Sequence, residues 1–310
     1  MGDNDSLGME VLFTGVILVS LQGYGALTRQ SWDIARFLPP ASGAVLRPVL
    51  DERRTTLWWA GLCAVSLLNV ALWLVATRVE LPNTTYRFWQ LVLSGIYVAV
   101  CAFRSAFPRV DLERLCLWDT ALSAIFTGRS VATLAELCFA VQCTLFLAKL
   151  SDMIHVPFLA TLSPWIVPVI VLAQLSCWYA VLTLNHLGHA VEELLWTFIL
   201  VLLAGGFANA WVHTHGVLSI VLATSIVCCG GAALVMSVID VPMYIARWRH
   251  HRRAATPYLP LWGGLKDTLA RRHLTHEWSI WRQEVPWMTL YFSVGVWLSI
   301  GMAVVECLAP

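Results

Sequence analysis

RSVATLAELCFAVQCTLFLAKL, residues 129–150, is the stretch that decides what kind of chain this is. It is almost continuously apolar, without the period-two alternation of a transmembrane β-strand. At about 1.5 Å per residue, roughly 20 such residues cross a ~30 Å hydrocarbon core as an α-helix. Yet the run carries Arg129 and Glu136. Seven positions are nearly two helical turns, so the two charges share a face. Ala132, Thr133, Ala140 and Cys143 lie on or near that face and are small enough to let another helix approach. Leu134, Leu137, Phe139 and Leu145 supply lipid-facing groups. The charged stripe is therefore expected to point at other helices.

If the span begins at Arg129, Glu136 lies about 10 Å deeper. A charge at the bilayer centre costs roughly 3 kcal/mol or more, so Glu136 must be protonated, paired or in a wet cavity. Two readings follow: an ion pair that locks two helices, or a working carboxylate.

The same pattern recurs along the chain. Of 310 residues, 58% are hydrophobic and 13% charged, with mean hydropathy +0.70. A soluble domain carries about twice that share of charge, so most of this chain is expected to face lipid or other helices. A net charge of +1 gives no reason to expect a nucleic-acid partner. Many of the 16 Trp sit at the ends of apolar runs, among them Trp58, Trp89, Trp165 and Trp287, where an amphipathic ring suits the headgroup level. The nine Cys are scattered and form no CxxC, which argues against both a disulfide framework and a thiolate metal site.

The expected fold is all-α: a polytopic transmembrane helix bundle, one integral membrane domain over residues 1–310. Its eight spans fall at about 9–28, 56–77, 88–107, 129–150, 160–184, 193–212, 216–241 and 287–308. Arginines concentrate in the loops at about 29–55, 108–128 and 246–286, which the positive-inside rule assigns to the cytosol. Both termini then lie on the exoplasmic side. So does Asn83 in Asn83-Thr84-Thr85, a glycosylation acceptor triplet. Gly2 and Ser6 match an acylation pattern that needs a cytosolic N-terminus. Residues 1–28 contain no Lys or Arg, and this asymmetry outweighs that match. Residues 264–284 read as an amphipathic helix in the interface plane, stopped by Pro286, and 111–127 as a similar segment broken from the next span by Gly128.

Ionisable groups converge on the predicted cytosolic side. Glu136, Asp240 and His186 are the candidate acid–base residues. Arg104, Arg129 and Asn185 are candidates for holding a polar or anionic headgroup, with Arg109, Asp111, Glu113 and Arg114 close to Arg104 in sequence. His186, His189 and Glu193 have spacings of three and four, which on a helix would let them share a metal; a polar turn at a helix start is the favoured explanation. His155, His213 and His215 read as solvated loop residues, and Arg247, Arg249 and the HHRR at 250–253 as a topology determinant that contacts anionic headgroups. No cofactor is named by any motif.

Three functions fit: an enzyme or binding protein embedded in the bilayer and acting on a lipid-like substrate, a transporter or channel, or an accessory membrane subunit. Asn69, Gln174 and Asn209 within spans favour transport. The crowding of charge at one end favours a site.

Overall fold

The computed structural model describes residues 47–80 and 84–305. The expected first span at 9–28, Gly2, Asn83 and residues 29–46 lie outside the described residues. Among the described residues, seven helices are long and apolar enough to cross a membrane: Glu52–Arg78, Thr85–Ala106, Ile125–Ile154, Pro157–Thr183, His186–Trp211, Gly216–Arg253 and Trp278–Met302. They answer one for one to the expected spans from 56 onward. The fold is an all-α polytopic bundle.

The elements run in order as α1 (Arg47–Arg78), α2 (Thr85–Ala106), β1 (Arg109–Val110), β2 (Leu115–Cys116) and α3 (Ile125–Ile154). There follow α4 (Pro157–Leu162), α5 (Ile166–Thr183), α6 (His186–Trp211) and α7 (Gly216–Val235). A π-helical turn, Met236–Asp240, leads into α8 (Val241–Arg253). Then come α9 (Leu261–Ala270), β3 (His273–Leu274), α10 (Trp278–Leu290), a second π turn at Tyr291–Gly295, and α11 (Val296–Met302).

Along α3 the expected division of faces holds in part, since Leu137 and Phe139, expected to face lipid, pack against the core. Ala132, Ala140 and Cys143 are buried, and Leu134 is exposed. Buried amides tie the helices where hydrocarbon offers no other partner. Gln142 on α3 donates to the Ser299 carbonyl (3.0 Å) and to Gln90 Oε1 (2.9 Å), while Ser299 Oγ donates to Gln142 Oε1 (2.6 Å). Those bonds join α2, α3 and α11. Asn69 on α1 donates to the carbonyl of Phe292 within the second π turn (2.7 Å) and accepts from Trp297 Nε1 (2.8 Å). Asn69 is thus a helix tie.

One end of the bundle is capped by short elements. β1 pairs antiparallel with β2, and β2 pairs parallel with β3, so residues 115–116 meet 273–274 across about half of the chain. Arg114 holds this cap down. It adopts φ 57°, its side chain is 1% exposed, and its guanidinium reaches three segments. Nε bonds Asp267 of α9 (2.9 Å), Nη1 the Asp111 carbonyl (2.6 Å), and Nη2 the Val181 carbonyl near the end of α5 (2.7 Å). That last bond satisfies one of the orphan carbonyls at a helix C-terminus.

Three expectations are corrected here. Residues 264–284 do not form one helix. Only α9 lies across the bundle end, Pro286 sits inside α10, and the last span begins at Trp278. On α9 it is Gly264 and Thr268 that face the protein, while Leu261, Trp262 and Leu269 are exposed, as an interfacial helix requires. Residues 111–127 form the β-hairpin and a short 3-10 turn instead of an amphipathic helix. Gly128 does not break a helix: it lies within α3, where a Cβ would fall 2.1 Å from the Arg109 guanidinium carbon. The glycine makes the slot in which that arginine lies.

At Gly264 the approach is closer still, since a Cβ would sit 1.8 Å from the Leu182 carbonyl oxygen. Backbone cannot yield as a side-chain tip can, so Gly264→Ala is expected to cost about 1–3 kcal/mol by forcing α9 off α5. Gly205→Ala, whose new Cβ meets nothing within 4 Å, is the control. Thermal unfolding in detergent should separate the two: a lowered Tm for Gly264→Ala and an unchanged or slightly raised one for Gly205→Ala.

Candidate functional site

The α3 stripe meets α5. Arg129 Nη2 donates to Glu136 Oε1 (2.8 Å) and to Gln174 Oε1 of α5 (2.7 Å). The Gln174 amide in turn donates to the second Glu136 oxygen. Thr133 Oγ1 donates to Gln174 Oε1 (3.0 Å) and accepts from Trp178 Nε1 (3.0 Å). Arg129 and Glu136 are each 6% exposed. The ion pair itself lies within one helix. Gln174 is what turns it into a tie between two, so both carboxylate oxygens of Glu136 are engaged by protein donors.

One turn along α5 from Gln174 stands Cys177, wholly buried. Opposite it is the first turn of α6, drawn in by Gly188, where a Cβ would meet the Ser176 carbonyl at 2.6 Å. That approach brings His189 Nδ1 to 3.9 Å from Cys177 Sγ and to 2.6 Å from Glu192 Oε2. One ligand-type atom from each of Cys177, His189 and Glu192 lies within 4.8 Å of the others. The carboxylate that joins His189 is Glu192, where the sequence spacing pointed to Glu193, and the third partner is a cysteine.

Glu193 turns to another face of α6. Its Oε2, His186 Nδ1 and Thr197 Oγ1 are buried atoms with no hydrogen-bond partner among the described residues. Positions 186, 193 and 197 are seven and four apart, so they form one stripe. Tyr244 of α8 closes over the start of that stripe, stacking on His189 (5.1 Å, 27°) and His186 (6.5 Å, 26°). His186 also meets His251 edge-on at 6.3 Å. Asp240 lies in the first π turn, within electrostatic reach of Glu193. The charges that act on Tyr244 come from Glu193, Arg247, Glu284 and Glu192. Arg247 bonds Glu113 (3.2 Å), and Glu284 is acted on by Glu113, Arg247, Asp111 and Arg104. Polar groups of α2, the β-hairpin, α6, α8 and α10 thus gather at the capped end.

The other expected residues divide. Asn185 is occupied as the N-cap of α6, its Oδ1 accepting from Leu187 N (3.1 Å). The Arg104 guanidinium lies over the rings of Tyr291 (5.6 Å) and Phe292 (5.5 Å). A cation with two spare donors is Arg109, 3% exposed, which bonds the Leu122 and Ala124 carbonyls (3.3 and 2.9 Å) through Nη1. Its Nε and Nη2 find no acceptor among the described residues. Burial pulls Arg109 down to about 10, with Asp111 opposing, so it stays cationic at neutral pH. Glu284 and Cys177 were not foreseen: Cys177 is a single residue in an apolar run, and Glu284 follows Arg282 and Gln283 in a polar stretch that matches no motif.

Compared with known protein families, with curated proteins and with solved structures, the chain matches none.

If Arg129 and Glu136 compensate one another, removing either strands a buried charge. Arg129→Met and Glu136→Leu are each expected to destabilise by about 3–5 kcal/mol. The double variant, which buries neither charge, should be more stable than either single one. A double-mutant cycle on unfolding in detergent reads this directly. Additive losses would mean that the pair is not coupled.

Proposed function

We propose that this chain is a membrane-embedded enzyme or binding protein for a lipid-like substrate, held at the capped end of the bundle. The observation that carries this reading is the stripe on α6 where His186 Nδ1, Glu193 Oε2 and Thr197 Oγ1 stand buried without partners. An unsatisfied buried polar atom costs about 1–3 kcal/mol, so three on one face are tolerated where something else bonds them. The adjoining π turn with Asp240 fits, because such turns recur at functional sites.

In this reading the acid–base groups are His186, Glu193 and Asp240, and the ring of Tyr244 shapes the site. Glu136 and Arg129 serve as its support, since their bonds are already committed to each other and to Gln174. Arg109, with two spare donors, suits an anionic headgroup arriving along the interface. The exposed Leu261, Trp262 and Leu269 of α9 suit a helix lying at that interface. By the positive-inside rule the capped end belongs to the cytosol.

Transport would need a polar route to the opposite end. That end is filled by an apolar core that includes Leu147, Leu159, Ile170, Leu203, Phe207 and Leu222, all buried.

Native mass spectrometry of the gently extracted protein tests the reading. The wild type should carry a lipid-like adduct, and Glu193→Gln and Thr197→Val should lose it while keeping the fold. A bare wild type, with Thr197→Val more stable because one unpaired hydroxyl is gone, would overturn the proposal.

A further inference from the structure

We infer that Cys177, His189 and Glu192 form a binding site for a divalent transition metal, of which zinc fits best. Thiolate, imidazole and carboxylate are the three donor types that zinc takes, and the mixed set is softer than magnesium or calcium accept. The geometry is close to what the ion needs. With Zn–S near 2.3 Å and Zn–N near 2.0–2.1 Å, a tetrahedral edge between sulfur and nitrogen is about 3.5 Å. The observed Cys177 Sγ to His189 Nδ1 separation is 3.9 Å. The Nδ1 to Glu192 Oε2 distance, 2.6 Å, is that of a hydrogen bond. It would open by roughly 0.8 Å as the ion replaced the proton between the two atoms.

A metal-free relay for a nucleophilic thiol fits less well. Such a relay needs the base to meet thiol and carboxylate through opposite ring nitrogens. Here both partners approach Nδ1. The three atoms thus converge on one point.

Charge favours the same assignment. Cys177, His189 and Glu192 are 0%, 8% and 6% exposed. When the ion binds, the Cys177 thiol releases its proton to solvent as the metal–sulfur bond forms, and the His189 proton moves from Nδ1 to Nε2, so the imidazole stays neutral. Thiolate and carboxylate then cancel the ion's two positive charges, which leaves a neutral group where an uncompensated charge would be costly. Arg129, whose field reaches both Cys177 and Glu192, is already balanced by Glu136. The Tyr244 ring stacked on His189 fixes the plane of the imidazole. Three protein ligands leave one position for a water or a substrate oxygen, the coordination of a reactive zinc and not of a purely structural one. The site stands whatever molecule occupies the adjoining α6 stripe.

Cobalt(II), the spectroscopic stand-in for zinc, tests this on the chelator-stripped full chain in detergent. One equivalent should bind, with a near-ultraviolet thiolate-to-cobalt charge-transfer band and the visible bands of a tetrahedral centre, and zinc should displace it. Cys177→Ser, nearly isosteric, should abolish the charge-transfer band. His189→Ala should weaken binding at least about tenfold. His213→Ala/His215→Ala should bind as wild type does. A wild type without the charge-transfer band, or a Cys177→Ser variant that keeps it, would overturn the assignment. The Cys177→Ser comparison decides the matter even if His189→Ala fails to fold.

Discussion

A polar atom inside hydrocarbon has no water to fall back on, so each must find its partner within the protein. This constraint organises the bundle. Gln142, Gln90 and Ser299 satisfy one another across three helices, and Asn69 does the same between α1 and the last span. Arg129 is acceptable in α3 because Glu136 and Gln174 surround its charge with acceptors. Arg114 obeys the same rule at the capped end, where its three bonds hold a hairpin, a surface helix and the end of a span together. Against that background, the few atoms left unpaired along α6 are conspicuous. They lie next to the seam of Arg129, Glu136 and Gln174, and the three residues that carry them share one face of the helix.

Seam and stripe are built on neighbouring faces of the same two or three helices. Gly188 lets α6 close on α5, and this close approach seats His189 against Cys177. Four residues further along α6, Glu193 points away from that contact and towards α8. The rigid side is rich in short polar contacts between helices. The other side carries aromatic stacking and scattered charge. Sites that bind or react are commonly held in this way, with a locked shell beneath groups that are not self-satisfied.

The sequence revealed the spans because the signal is local: about 20 apolar residues, flanked by Trp and Arg, need no knowledge of neighbours. The inward face of α3 was equally legible, from small residues at helical spacing. The cap was not. Its strands are two residues long, too short to show a period, and β2 finds β3 only across some 158 positions. Gly128 carries the mark of a helix break because the arginine that fills its slot comes from another element. The Cys177 cluster escaped for the same reason. Metal motifs are read from spacing within one helix or turn, and here the sulfur and the carboxylate belong to different helices. The spacing of His186, His189 and Glu193 drew attention to the correct turn, but not to the residue one position earlier.

The π turn at Met236–Asp240 sets a rotational phase. A π turn holds one residue more than the α-helix it interrupts. Each residue of an α-helix advances it by about 100°, so this single insertion fixes the heading of everything after it. Tyr244 reaches the two histidines, and Arg247 reaches Glu113, because α8 emerges at that angle. A chain shorter by one residue in that turn would keep its hydropathy and its span, and would turn both side chains by about 100° away from these partners. Here the count of residues carries information that their identities do not.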